Sequence, residues 1–226
     1  MLSNWSIFKA GFPTVAITST VTDPTLLTPI IGNGSLHVQQ YDVTDTFVNL
    51  YNTTYPSELG LIKGRMRTII HPIDIPGYYY YSAGFVFMQD QFDLTGGAGS
   101  GYYASLTIYY YGLYSYFVVR KFVSTGLQID LGATSMLYLG PNLGNIMGQD
   151  TCFEVEWDAF SGTECTITLR RALNTTNFGL LVNETTVTDT ISPLITSVAE
   201  GLAFTNGSIM GETSWLLDST SLVKLL

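Results

Sequence analysis

The stretch 152–171, CFEVEWDAFSGTECTITLRR, restricts the fold more than any other part of the chain. Phe153, Val155, Trp157 and Ala159 alternate with Cys152, Glu154, Glu156 and Asp158. A period of two puts one set on each face of a β-strand, so this strand has an apolar face and a carboxylate face. Ser161-Gly162 is a turn signal, and Thr166-Ile167-Thr168-Leu169-Arg170 alternates again, so the segment is predicted to be a β-hairpin. With the turn near Gly162, the register sets Glu154 opposite Arg170, Glu156 opposite Thr168 and Asp158 opposite Thr166. The same register sets Cys152 opposite Ala172 and Cys165 opposite Ala159. The two cysteines then lie about 20 Å apart along the ladder and on opposite faces, beyond disulfide reach. Two free thiols suit a reducing compartment.

Strand signals continue through the rest of the chain. Segments 5–8, 36–39, 65–75, 127–131, 136–139, 178–182, 185–188, 201–204 and 216–225 are short, apolar or alternating, and bounded by Gly, Pro and Asn. Pro72 and Pro76 are expected to end the strand 65–75. Eleven of the fifteen tyrosines fall between Tyr78 and Tyr116. Here 78–89, 102–111 and 114–123 read as three consecutive strands joined by the loops 96–101 and 112–113, a meander. The helical candidates are two, near 43–50 and at 192–200, the second with Pro193 in its first turn. A dozen short strands with glycine-rich turns predict an all-β protein, an antiparallel β-sandwich of jelly-roll type. One domain over 1–226 is expected, with 1–31 as an N-terminal strand and extended arm.

Composition narrows the function classes. Only 12% of residues are charged, against about 25% in an ordinary soluble domain, so the surface is poorly defended against association. The net charge of −9 and the absence of any Lys/Arg run argue against nucleic acid and against anionic membrane surfaces. No stretch approaches 18 uninterrupted apolar residues, and the start, MLSNWSIFKAGFPTV, lacks the pattern of a secretory signal. The expectation is synthesis in a cytoplasm without secretion. The six Asn-x-Ser/Thr sequons are accordingly read as products of an Asn- and Thr-rich composition.

No cofactor is expected. The loop 96–101 lacks the Gly-Lys-Ser/Thr of a phosphate cradle. His37 and His71, the two histidines, fit no zinc spacing, and no Asp-x-Asp-x-Asp-Gly calcium loop occurs, so no metal is expected. No Gly-x-Ser-x-Gly marks a nucleophilic serine. The tyrosines can pack, stack on sugars or contact protein, and Tyr78, Tyr80, Tyr102, Tyr109, Tyr111 and Tyr114 are the candidate interface residues.

The order of the signals carries a resemblance. Gly-x-Gly-Ser-Leu (32–36), Gly-Phe-x-Phe (84–87), Tyr-x-x-x-Arg-Lys (116–121), Phe-x-Val-x-Trp (153–157), Thr-Leu-Arg (168–170), Gly-Leu-Ala-Phe (201–204) and Leu-Leu-Asp (216–218) follow one another. Over 32–226 this resembles the concanavalin A-like (laminin G-like) jelly roll of tailed-bacteriophage structural proteins. The resemblance implies two facing antiparallel sheets and a non-enzymatic virion component. That component would be a capsid decoration or tail-associated protein that contacts other virion proteins and forms a homo-oligomer or multi-copy assembly. Glycan binding is the alternative partner chemistry. Laminarinase-type hydrolases share the fold and carry alternate carboxylates on one strand, which makes Glu154 and Glu156 the fallback catalytic candidates. Their spacing is permissible, since retaining chemistry needs carboxyl groups about 5–5.5 Å apart. The order is not: this chain has Glu, Glu, Asp where that family has Glu, Asp, Glu. The carboxylate row is therefore expected to be the solvated face of a sandwich, with one cross-strand ion pair.

Overall fold

The structure, a computed structural model, describes residues 5–9, 36–41, 46–52, 62–74, 80–90, 99–109, 114–123, 128–131, 143–197, 199–206 and 212–225. The predicted strand 136–139, the arm 10–31, Tyr78 and Tyr111 lie outside them. Thirteen strands are present among the described residues: β1 (Trp5–Lys9), β2 (Leu36–Tyr41), β3 (Thr46–Asn52), β4 (Lys63–Asp74), β5 (Tyr80–Gln89), β6 (Gly101–Tyr109), β7 (Tyr114–Phe122), β8 (Gln128–Asp130), β9 (Thr151–Asp158), β10 (Cys165–Leu173), β11 (Val182–Asp189), β12 (Ala199–Asn206) and β13 (Glu212–Lys224). They form two antiparallel sheets, a seven-stranded one in the order β1-β3-β12-β5-β6-β7-β8 and a six-stranded one in the order β11-β10-β9-β4-β13-β2. The aromatic meander is thus one continuous piece of the larger sheet, and the hairpin is β9–β10 in the smaller.

The core lies between the sheets and follows the period-two pattern. From the smaller sheet come Met66, Ile70, Phe153, Val155, Trp157, Cys165, Ile167, Leu169, Trp215 and Leu217; from the larger come Tyr81, Phe85, Phe87, Tyr102, Leu106, Ile108, Phe117, Leu202 and Phe204. Phe153 is sandwiched between Phe85 (5.2 Å) and Phe117 (5.1 Å), and Phe87 stacks on Trp157 at 4.7 Å. Gly64 is opposite Trp157 in the ladder, and a Cβ there would stand 2.5 Å from the indole. A side chain at position 64 would therefore displace the largest group of the core.

The hairpin register is the one read from the sequence, including Glu154–Arg170, Glu156–Thr168, Asp158–Thr166 and Cys152–Ala172. Gly162 supplies the left-handed backbone (φ 72°) that the turn requires. Both cysteines are free and buried, Cys165 in the main core and Cys152 in a small cluster with Ile69 and Ala172 on the outer face. Burial pushes the thiols up, to about 11 for Cys152 and about 12 for Cys165.

Several local expectations are corrected by long-range pairing. Residues 46–52, which overlap the first helical candidate at 43–50, form β3 between β1 and β12. The segment 192–197 is irregular, because Lys121 and Tyr102 of the larger sheet hold its backbone at the Ser192 carbonyl and the Leu194 N–H. Residues 178–180 form a 3-10 turn in place of a strand, capped by Asn177, whose Oδ1 accepts from the Gly179 N–H at 2.8 Å. Pro72 lies inside β4; pairing with β9 stops at Ile70, and a register shift beside Trp215 lets the strand pass it.

The tyrosine-rich strands depart from simple alternation. Every residue from Tyr81 to Gln89 and from Gly101 to Ile108 is buried, so both faces of β5 and β6 are covered. The face away from the core carries Ser82, Gly84, Ser105, Thr107 and Ala203 beside Val86, Tyr103 and Val118, with the Tyr103 hydroxyl donating to Ser82 Oγ at 2.8 Å. A strand covered on both sides has no polar face to reveal its register, as in buried parallel sheets.

Candidate functional site

The outer face of the smaller sheet carries the chemistry that the sequence singled out. Strand β9 lies between β10 and β4, and β4 contributes Lys63, Arg65 and Arg67 directly opposite Asp158, Glu156 and Glu154. Three cations are therefore interleaved with the three carboxylates on one side, and Arg170 stands on the other. Arg170 Nη1 donates to Glu154 Oε1 (2.8 Å) and to Glu156 Oε2 (2.9 Å). Burial opposes the guanidinium charge, but the two carboxylate bonds outweigh it and the Arg170 pKa is raised. Arg65 Nε approaches Glu154 Oε2 at 3.7 Å, and Lys63 Nζ is 3.0 Å from Asp158 Oδ2.

The expectation of a solvated row with one ion pair is therefore corrected. Glu154 is 4% exposed, enclosed between Arg65 and Arg170, and four ion pairs thread the face. The missing signal was present as the alternation Lys63-x-Arg65-x-Arg67, but nothing local says that β4 pairs with β9, some ninety residues later.

Towards the turn the ladder opens into a groove of about 470 Å³, lined by Glu156, Asp158, Phe160, Ser161, Glu164, Thr166 and Thr168. The Phe160 N–H donates to Asp158 Oδ1 (3.0 Å); this bond first, and then Lys63 against a burial penalty, hold the Asp158 carboxyl below the usual range. Phe160 itself is 77% exposed at the rim. The Thr166 and Thr168 hydroxyls pair across to Thr188 (3.4 Å) and Thr186 (3.2 Å) on β11, so a threonine field continues the groove floor outward. At the other end of the face, Phe178 and Leu181 cover Ile69, Cys152 and Ala172, and Arg67 lies 4.6 Å over the Phe178 ring. The groove thus has one exposed aromatic ring, three carboxylates and three hydroxyls around one opening, with the buried Trp157 beneath. Phe160 was not singled out by sequence reading, because it breaks no pattern at a hairpin tip.

The sequence-predicted tyrosines separate. Tyr102 is corrected to the core: it is fully buried, its hydroxyl donating to Asp189 Oδ2 (2.7 Å) and accepting from the Leu194 N–H (3.0 Å). Burial pushes its phenol far up. Tyr80, Tyr109 and Tyr114 occupy one row across β5, β6 and β7. Tyr114 is 45% exposed, and Tyr109 meets Tyr116 edge-on at 6.5 Å. Of the histidines, His71 contacts Asp150 through Nδ1 at 2.8 Å. Among the described residues no group of three or more His, Cys, Asp or Glu side chains could hold a metal.

No family model and no curated protein matches the chain. Solved structures do. The chain is similar to a legume lectin-like domain from Entamoeba histolytica, with a TM-score of 0.56 and 10% identity over 98% of this chain and 90% of that one. It is also similar to an engineered GH43 glycoside hydrolase displaying endo-xylanase and exo-arabinofuranosidase activity, with a TM-score of 0.50 and 16% identity over 88% of this chain but only 36% of that one. At such identities the likeness is one of architecture, and it agrees with the two-sheet topology and the shared core. The chain has the legume lectin-like, concanavalin A-like β-sandwich fold.

Proposed function

We propose that this protein is a non-enzymatic carbohydrate-binding domain that takes a glycan in the groove at the tip of the β9–β10 hairpin. The observation that carries the reading is the exposed Phe160 ring beside a floor of hydroxyls and carboxylates. A pyranose has an apolar face of C–H groups and a rim of hydroxyls. The ring takes the first, and Glu156, Asp158, Glu164, Ser161, Thr166 and Thr168 take the second as acceptors and donors. Lys63 and Arg170 offset the charge of two of the acids, which suits a neutral oligosaccharide. The lectin-like architecture supports the reading at the level of fold.

Turnover is disfavoured by access. A glycosidic oxygen must reach a carboxyl for general-acid catalysis, and Glu154 is buried beneath Arg65 and Arg170 while Glu156 shares that same Arg170. Glycan-array screening followed by calorimetry on the best ligand is expected to give binding without hydrolysis. Phe160→Ala should weaken that binding about tenfold with unchanged circular dichroism, and Phe160→Trp should preserve it. An array without hits, equal binding by Phe160→Ala, or cleavage of the bound glycan would each defeat the proposal.

A second reading, assembly into a bacteriophage virion, rests on the strand-order resemblance and is favoured by the 12% charge and the apolar groups exposed at Leu180, Val182, Ile191 and Ile195, around the two ends of β11. Its test is whether the purified chain binds particles that lack it.

A further inference from the structure

Lys121 and Asp189 meet across the sandwich, one on β7 of the larger sheet and the other at the end of β11 in the smaller. Both are 3% exposed, and Lys121 Nζ stands 2.7 Å from Asp189 Oδ2. Every polar atom of the pair is engaged. Nζ also donates to the carbonyls of Ile191 (2.8 Å) and Ser192 (2.6 Å), and Ser192 has a left-handed backbone (φ 54°). Oδ2 accepts a second bond from the Tyr102 hydroxyl (2.7 Å), which itself accepts the Leu194 N–H (3.0 Å). Oδ1 accepts the Ile191 N–H (3.0 Å). The two carboxyl oxygens are therefore unlike. Oδ2 faces an ammonium and a phenol, whereas Oδ1 faces a backbone amide.

An amine at hydrogen-bond distance from a carboxyl oxygen stands about 3.5 Å from the carboxyl carbon, a near-attack separation. Two opposite charges in a site this dry carry a desolvation cost that their attraction offsets only in part. An amide between them is neutral, and its N–H still has the Ile191 and Ser192 carbonyls to donate to.

We propose that Lys121 and Asp189 condense after folding into an intramolecular isopeptide bond. The Nζ–Cγ bond forms and the Cγ–Oδ2 bond breaks. The two protons that the ammonium gives up end on Oδ2, which departs as water, and the Tyr102 hydroxyl donates to that oxygen as it leaves. Negative charge gathering on Oδ1 in the tetrahedral intermediate falls on the Ile191 N–H. The balance closes without a further reactant: one ammonium and one carboxylate give one amide and one water. The water has a short way out, since Ile191 and Ser192 are exposed. The bond closes a loop between residues 68 positions apart and ties the two sheets covalently, in a chain whose cysteines are both free. The inference stands independently of glycan binding.

The intact mass of the purified full chain under denaturing conditions is expected to lie one water below the mass of its sequence. Digestion with trypsin and a second protease should leave Lys121 uncut. It should join the peptide that contains Lys121 to the one that contains Asp189, with the link placed by fragmentation. Lys121→Arg should return the full mass. Tyr102→Phe keeps the ring in the core and is expected to carry a larger share of uncondensed chain, since only the hydroxyl is lost. The wild-type mass is read whether or not a variant folds. A wild-type chain at its full sequence mass, a water loss that persists in Lys121→Arg or maps to another pair, or condensation as complete in Tyr102→Phe as in the wild type would overturn the proposal.

Discussion

Replacing Trp157 with alanine is expected to destabilise the protein by about 3–5 kcal/mol, measured by urea unfolding followed by far-UV circular dichroism. Trp157 is fully buried, its indole stacks on Phe87 at 4.7 Å, and its other side lies against Gly64. Truncation removes a large area from the core and leaves a cavity whose walls are two strand backbones, which cannot close without breaking their ladders. Trp157→Phe should lose less, about 1–2 kcal/mol, because part of the stack survives. A loss below about 1 kcal/mol for the alanine variant would mean that the indole is not wedged between the sheets as described.

The second large effect is expected at the buried pair Lys121–Asp189. Lys121→Met or Asp189→Asn should each cost about 3–5 kcal/mol, since either leaves a charge behind at a site 3% exposed. Asp189 also accepts the Tyr102 hydroxyl and the Ile191 N–H, so its replacement loosens three strands' worth of contacts. The informative experiment is the cycle. With Lys121→Met and Asp189→Asn combined, the cost should fall below the sum of the singles, because no unpaired charge remains. Additive losses would show that the two groups do not act as a pair. Hydrogen exchange at 190–194 should quicken in every single variant, because Lys121 holds the Ile191 and Ser192 carbonyls.

The hairpin was legible from local sequence to the level of individual pairs. Its alternation set the faces, Ser161-Gly162 set the turn, and together they placed Glu154 against Arg170. The tyrosine strands were legible as strands but not as surfaces. With β5 and β6 buried on both sides, Tyr102 and Tyr103 are adjacent in sequence and equally hidden, so no rule based on alternation could sort core rings from exposed ones. The two helical candidates failed for a related reason. Weak local periodicity at 43–50 was overridden by pairing of β3 with β1 and β12, and residues 192–197 are held by a lysine more than seventy positions earlier.

The candidate site divides in the same way. Its acids were evident from the sequence, as were the Thr166 and Thr168 hydroxyls facing them. That Glu154 is sealed and Glu156 shared required β4, whose cations arrive through pairing across some ninety residues. Phe160 became notable only as the exposed rim of a groove that the hairpin turn and two ladders create together.

By itself, then, the sequence determined a two-sheet antiparallel sandwich, the hairpin register and the free cysteines. These depend on side-chain period and turn chemistry, both local. Only the tertiary structure decided which strands are neighbours, and with that which charges are paired and which rings are covered. Each of these is a property of a contact between distant segments, and the energy that selects it comes from burying both partners at once.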